Sequence, residues 1–102
     1  MVVVSVLYPN EAGSKFDLDY YCRSHLPLCR ELLAPMGMQS LSFYQPTLAD
    51  KAAAFHLVAE LRFPDMASTQ AALAAHGPRT QADIANFTDL NPVILIGEEI
   101  AA

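Results

Sequence analysis

Ala54–Phe63 (AFHLVAELRF) alternates more strictly than any other stretch of the chain. Phe55, Leu57, Ala59, Leu61 and Phe63 fall on one side of a strand, and His56, Val58, Glu60 and Arg62 on the other. A strand with that pattern belongs in a sheet whose apolar face lies under helices and whose other face is more polar. Val2–Tyr8 (VVVSVLY) is β-branched and almost continuously apolar, the pattern of a central strand covered on both faces. Gln39–Gln45 alternates around Leu41 and Phe43, with Ser40, Ser42 and Tyr44 opposite, and Pro92–Glu98 is a last apolar strand. Pro46–Lys51 reads as a loop.

Two helical stretches lie between these strands. In Lys15–Ala34, Leu18, Tyr21, Cys22, His25, Cys29 and Leu32 recur at three- and four-residue steps and share one face. Asp19, Tyr20, Arg23, Arg30 and Glu31 lie opposite, toward water. Pro27 has no N–H to give and its ring collides with the carbonyl of Arg23, so the helix is expected to break or kink between Arg23 and Leu28. His25 is thus a titratable group on the inward stripe beside a helix interruption. Ser14 or Asp17 can cap this helix, and Pro35 and Gly37 close it. The second helix opens at Asp65 as N-cap and runs over Ala67–His76, with Met66, Thr69 and Leu73 inward. His76 then sits in the last turn and Gly77 ends the helix. Pro78–Phe87 is a short helix or turn anchored by Ile84 and Phe87.

The element order is strand, helix, strand, strand, helix, strand. It implies an α+β, ferredoxin-like βαββαβ fold, residues 1–102 forming a single domain with both helices on one face of a four-stranded antiparallel sheet. The other face needs a cover that nothing else in the sequence supplies, so a homodimer is expected through the face bearing His56, Val58, Glu60 and Arg62.

Several functions are excluded by composition and motif. The net charge is −5 with only six Lys and Arg, which leaves nothing to neutralise nucleic-acid phosphates or an anionic membrane. MVVVSVLYP lacks the features of a signal peptide and is too short to span a bilayer, and a cytoplasmic location is expected. The glycines are isolated, so no nucleotide-binding loop is present, and the histidines lie far apart with no metal-ligand spacing. No cofactor and no metal are expected. Cys22 and Cys29 lie about 10 Å apart along a helix, beyond disulfide reach, and read as two buried reduced thiols.

The run YPNEAGSKFDLDYYCRSHLPL and the later run DIANFTDLNPVILIGE resemble the two signatures of EthD-like proteins, a family of the dimeric α+β barrel superfamily. Ala85 stands where a proline is usual in the second run. The resemblance implies the fold and dimer just described. The superfamily includes cofactor-free monooxygenases, polyketide cyclases, lactone isomerases and haem-handling proteins.

Acid–base chemistry by His25 is what remains, since histidine titrates nearest neutral pH. Tyr21 precedes it by one helical turn, and Asp83 and Asn86, from the family-like run, are candidates to orient the imidazole or bind a ligand. Tyr8, Tyr44, Asn86 and Phe87 are candidates to hold a substrate. His56 reads as structural, Asp17 and Asp65 as helix caps, and Asp89 as a turn former. Two functions follow. One is a small cofactor-independent enzyme of aromatic, polyketide or xenobiotic metabolism, of monooxygenase or cyclase type, acting on an apolar substrate between helices and sheet. The other is a non-catalytic ligand-binding or accessory dimer of an oxidative pathway, and haem handling with His25 as axial ligand stands third.

Overall fold

The computed structural model describes residues 1–47 and 53–102. Four strands, β1 (Val2–Pro9), β2 (Ser40–Tyr44), β3 (Phe55–Phe63) and β4 (Val93–Glu98), form one sheet in the order β2-β3-β1-β4. Every neighbouring pair is antiparallel. The helical segments connect strands that are not neighbours, so two split βαβ units interlock, and β1 and β3 become the central pair. The loop expected over Pro46–Lys51 lies, from Leu48 onward, outside the described residues.

Register explains the burial. Val4 pairs with Leu61 and Ile96, and Val6 with Ala59 and Ile94, so their side chains share the face that carries the helices. Val2, Val4, Tyr8, Leu57, Ala59, Leu61 and Phe63 are buried there, as the alternation of β3 requires. The opposite face carries Val3, Ser5 and Leu7 from β1, and these are half-buried, so β1 is central but fully covered on one face only. On β3, Val58 is buried, and Arg62 bonds within the chain to Glu99 (2.7 Å) and Glu60 (3.5 Å). Register shifts between Tyr8 and Pro9, leaving His56 out of step. Its ring lies 4.8 Å from that of Phe16, at the end of the sheet.

The first helix does not break at Pro27. Asp17 caps it, accepting from the N–H of Tyr20, and α1 (Leu18–Tyr20) passes into a π-helical turn at Tyr21–His25 and then into α2 (Leu26–Leu33). The N–H of Leu26 donates to the carbonyl of Tyr21, five residues back. Backbone angles stay helical at Tyr21 (φ −54°, ψ −49°) and His25 (φ −70°, ψ −50°). Widening one turn places Pro27 in the first turn of α2, where its missing donor removes little, and the segment stays helical. The extra residue in that turn also shifts the buried stripe. It becomes Tyr21, His25, Leu26, Cys29 and Leu33, while Leu32 is only half-buried and Leu18 and Cys22 are exposed. Cys22 and Cys29 are both free thiols, and only Cys29 is buried.

The second helix is longer than its sequence suggests. Asp65 caps it as expected, but α3 runs over Met66–Ala82, through Gly77 and Pro78, and a 3-10 turn follows at Asp83–Asn86. Pro78 is tolerated because it and Ala74, whose carbonyl loses its donor, are both exposed to water. His76 is therefore mid-helix and caps nothing. Thr69 and Ala72 are buried, while Met66 and Leu73 are half-buried. No described helix is long and apolar enough to cross a membrane.

The phase shift at the π turn separates two adjacent leucines. Leu33→Ala is expected to cost about 2–5 kcal/mol, and Leu32→Ala well under half of that. Urea titrations of the two variants check this; equal losses would place the stripe where an uninterrupted helix puts it.

Candidate active site

Asp17–Tyr20 and Asp83–Leu90 are far apart in sequence but are tied side by side. The N–H of Asp17 donates to the carbonyl of Phe87 (2.7 Å), and the N–H of Lys15 to Asp89 Oδ1 (2.9 Å). Thr88 Oγ1 donates to the carbonyl of Lys15, and Phe16 and Thr88 form an isolated antiparallel bridge. Asp89 thus holds the start of the first helix instead of merely forming a turn. The clamp sets the 3-10 turn at Asp83–Asn86 across the π turn, and His25 meets Asp83.

His25 Nδ1 lies 3.0 Å from Asp83 Oδ2, with both residues 6% exposed. Asp83 Oδ1 accepts from Tyr20 Oη (2.8 Å) and from Asn86 Nδ2 (3.0 Å). Burial by itself would push the Asp83 carboxyl up, but the bonds from Asn86, His25 and Tyr20 outweigh it and hold the group below its ordinary value. Tyr20 moves the other way: its bond to Asp83 raises the phenol. An ionised carboxylate can only accept, so in the neutral imidazole the proton is on Nδ1 and the lone pair on Nε2. Nε2 faces Cys29 Sγ at 3.6 Å. Burial, with the charge of Asp83 adding, pushes the Cys29 thiol up to about 11.

An aromatic shell surrounds the pair. The ring of Tyr21 stacks on His25 at 5.4 Å, and that of Phe87 lies 4.6 Å from it. Tyr8 packs edge-on to Tyr21 and Phe87 at 6.2 and 5.9 Å, and desolvation drives the Tyr8 and Tyr21 phenols well above their usual range. His25, Tyr21, Asp83, Asn86, Phe87 and Tyr8 are therefore gathered at one place. Tyr44 is apart, 54% exposed on the edge strand β2, and makes no ring contact with this cluster among the described residues. Its neighbour Phe43 reaches Tyr21 instead, at 5.4 Å. Sequence reasoning passed over Tyr20, Cys29 and Phe16. Cys29 stands four residues after His25, a spacing that places both on one helical face.

An apolar cavity of about 250 Å³ lies between α2, α3 and the sheet, walled mainly by Val4, Val6, Cys29, Leu33, Ile94 and Ile96. His25 does not line it. Cys29, one turn further along, stands between the imidazole and the cavity. Asn86 and Phe87 instead edge a wider, open cleft with Lys15 and Phe16. Among the described residues no group of three or more metal-ligating side chains has a geometry that would hold a metal ion.

The lowered Asp83 carboxyl has a pH signature. Its contribution to stability is complete above the ordinary carboxylate value near pH ~4 and is lost as pH falls through its lower folded value. Asp83→Asn should cost about 1.5–3 kcal/mol at pH 7, as befits hydrogen bonds to a charged group. The gap from wild type should close on acidification below about pH 4. Denaturant titrations across pH test this, and a gap independent of pH would mean that the carboxylate charge contributes nothing.

The sequence matches the EthD domain family model over residues 13–91. An EthD-like protein from Ralstonia eutropha JMP134 superposes with a TM-score of 0.85 at 29% identity, covering 95% of this chain and 89% of that one. An ethyl tert-butyl ether D family protein from Bacillus halodurans C-125 gives 0.69 at 22% identity, with 98% and 99% covered. An antibiotic biosynthesis monooxygenase gives 0.52 at 18% identity, with 99% and 100% covered, which is a likeness of fold. No curated protein matches the sequence. With the family model spanning most of its length, from the loop before the first helix to the run that carries Asp83, the chain belongs to the EthD family.

Proposed function

We propose that this protein is a small cofactor-independent enzyme of aromatic, polyketide or xenobiotic metabolism, of the monooxygenase or cyclase type. In this reading His25 moves a proton for an apolar substrate held between helices and sheet. The observation that carries it is the buried His25–Asp83 pair beside an apolar cavity. Asp83 fixes one ring nitrogen and leaves the other as a base, the arrangement that general acid–base catalysis requires. A proton taken from a carbon acid next to a carbonyl leaves a carbanion. It closes a ring in a cyclase, and in a monooxygenase it reduces oxygen directly. The aromatic shell of Tyr8, Tyr21 and Phe87 keeps water from the pair and strengthens its electrostatics.

A second reading, a non-catalytic ligand-binding or accessory dimer of an oxidative degradation pathway, is favoured by the position of Cys29. That thiol covers Nε2. His25→Ala separates the two readings. In the enzyme it abolishes turnover of an apolar carbonyl- or phenol-bearing substrate while folding and binding persist. In the binding protein it leaves uptake of such a ligand unchanged; in both, stability falls by about 1–3 kcal/mol, because Asp83 loses a buried partner. Turnover assays with ligand titration distinguish them, and thermal melts confirm that the variant is folded.

Self-association belongs to the same proposal. The face bearing Val58, Glu60 and Arg62 also carries Val93 and Leu95 of β4, which are 45% and 56% exposed, and it has no helices over it. A homodimer joined there, working in the cytoplasm, would remove that apolar surface from water. Sedimentation at micromolar concentration should give twice 11.1 kDa. A species of 11.1 kDa alone rejects the dimer.

A further inference from the structure

We propose that Cys29 is the nucleophile of this site, and that the cavity takes an apolar molecule carrying a carbon–carbon double bond conjugated to a carbonyl. This rests on the reading of His25 as a proton carrier and names the group it serves.

The geometry is a series of three. Cys29 Sγ is 3.6 Å from His25 Nε2, and His25 Nδ1 is 3.0 Å from Asp83 Oδ2. A nucleophile within reach of a base that is itself oriented by a third group is how a weak nucleophile is activated. All three residues are buried, and Cys29 is the one in the cavity wall. The rest of that wall is largely aliphatic, which suits the carbon skeleton of an apolar ligand, with Thr80 and Gln81 as its polar members.

Gly77 leaves room at the cavity wall. It is buried in the interior of α3 and lines the cavity. Its backbone is not left-handed; only Gly13 and Gly37 are. A Cβ built on it would meet nothing within 4 Å. Glycine weakens a helix interior relative to alanine. Pro78 accounts for part of its presence here, since its ring crowds a Cβ on the residue before it in a helix; on the cavity side, a side chain here would occupy space that a ligand would otherwise fill.

The resting thiol is protonated, since burial keeps it near 11. Attack must therefore be coupled to proton transfer. As Sγ bonds to the β-carbon, its proton passes to Nε2 and the π electrons move onto the carbonyl as an enolate. His25 then returns the proton to the α-carbon. One S–C bond and one C–H bond form, the S–H bond and the C=C π bond break, and no oxidant or leaving group is needed. A soft sulfur attacking a soft β-carbon is the addition that this set of groups can complete unaided.

The test uses the full chain with Cys22→Ser, which removes the exposed thiol, and N-phenylmaleimide as the apolar probe at pH 7. Intact mass and peptide mapping should find one adduct, on Cys29. His25→Gln and Asp83→Asn in that background should each slow it at least tenfold, with thermal melts identifying any variant that fails to fold. Gly77→Leu should slow it similarly, in protein that its thermal melt shows to be folded. No adduct on Cys29, or equal rates with His25 and Asp83 both intact and replaced, overturns the proposal. Cys22→Ser and His25→Gln together separate it from the broader reading. If Cys22→Ser gives no adduct but His25→Gln still alters turnover or uptake of an apolar ligand, the nucleophile is wrong and the proton carrier stands.

Discussion

A carboxylate taken out of water must find donors to replace it, and Asp83 finds three: the imidazole of His25, the phenol of Tyr20 and the amide of Asn86. Two of them come from the first helix, 58 and 63 residues away in sequence, and one from its own 3-10 turn. The charge is buried only because chain segments from both ends of the fold converge on it. That convergence fixes the angle of the π turn against the Asp83–Asn86 turn, sets the tautomer of His25 and positions the sulfur of Cys29. Removing any one donor leaves part of a buried charge unanswered, which costs more than the bond itself contributes.

The π turn is the second constraint, and it serves the first. An uninterrupted α-helix would present one stripe from end to end, whereas the widened turn lets Tyr21 and His25 face Asp83 and Phe87 before the stripe moves on to Leu26, Cys29 and Leu33. Two apolar clusters result. One is rich in aromatic rings, around Tyr8, Tyr21 and Phe87, and the other is mainly aliphatic, around Val4, Leu33 and Leu61. Cys29 belongs to the aliphatic cluster but reaches the histidine that sits beside the aromatic one.

Most of the fold was legible because it depends on local alternation. The burial of Leu57, Ala59, Leu61 and Phe63 follows from period two, and the caps at Asp17 and Asp65 follow from orphan N–H groups at helix starts. What was illegible depends on partners distant in sequence. Helical counting put Tyr20 on the water side, and nothing local says that Asp83 comes to meet it there. Gly77-Pro78 looked like a helix end, since those residues usually stop a helix. Their tolerance depends on which side of α3 faces water. Pro27 did signal an interruption, but a break and a wider turn relieve the same missing donor, and tertiary packing chose between them.

β4 is both the rim of the sheet and, through Ile94 and Ile96, a wall of the cavity. These isoleucines are 41% and 46% exposed. Through these two side chains the hydrophobic lining of the interior is continuous with the outer surface. A body settling on this strand would withdraw the cavity wall from solvent, and a molecule filling the cavity would press on the same two isoleucines. The two events share one free energy, so thermodynamic linkage makes each raise or lower the affinity of the other by the same factor.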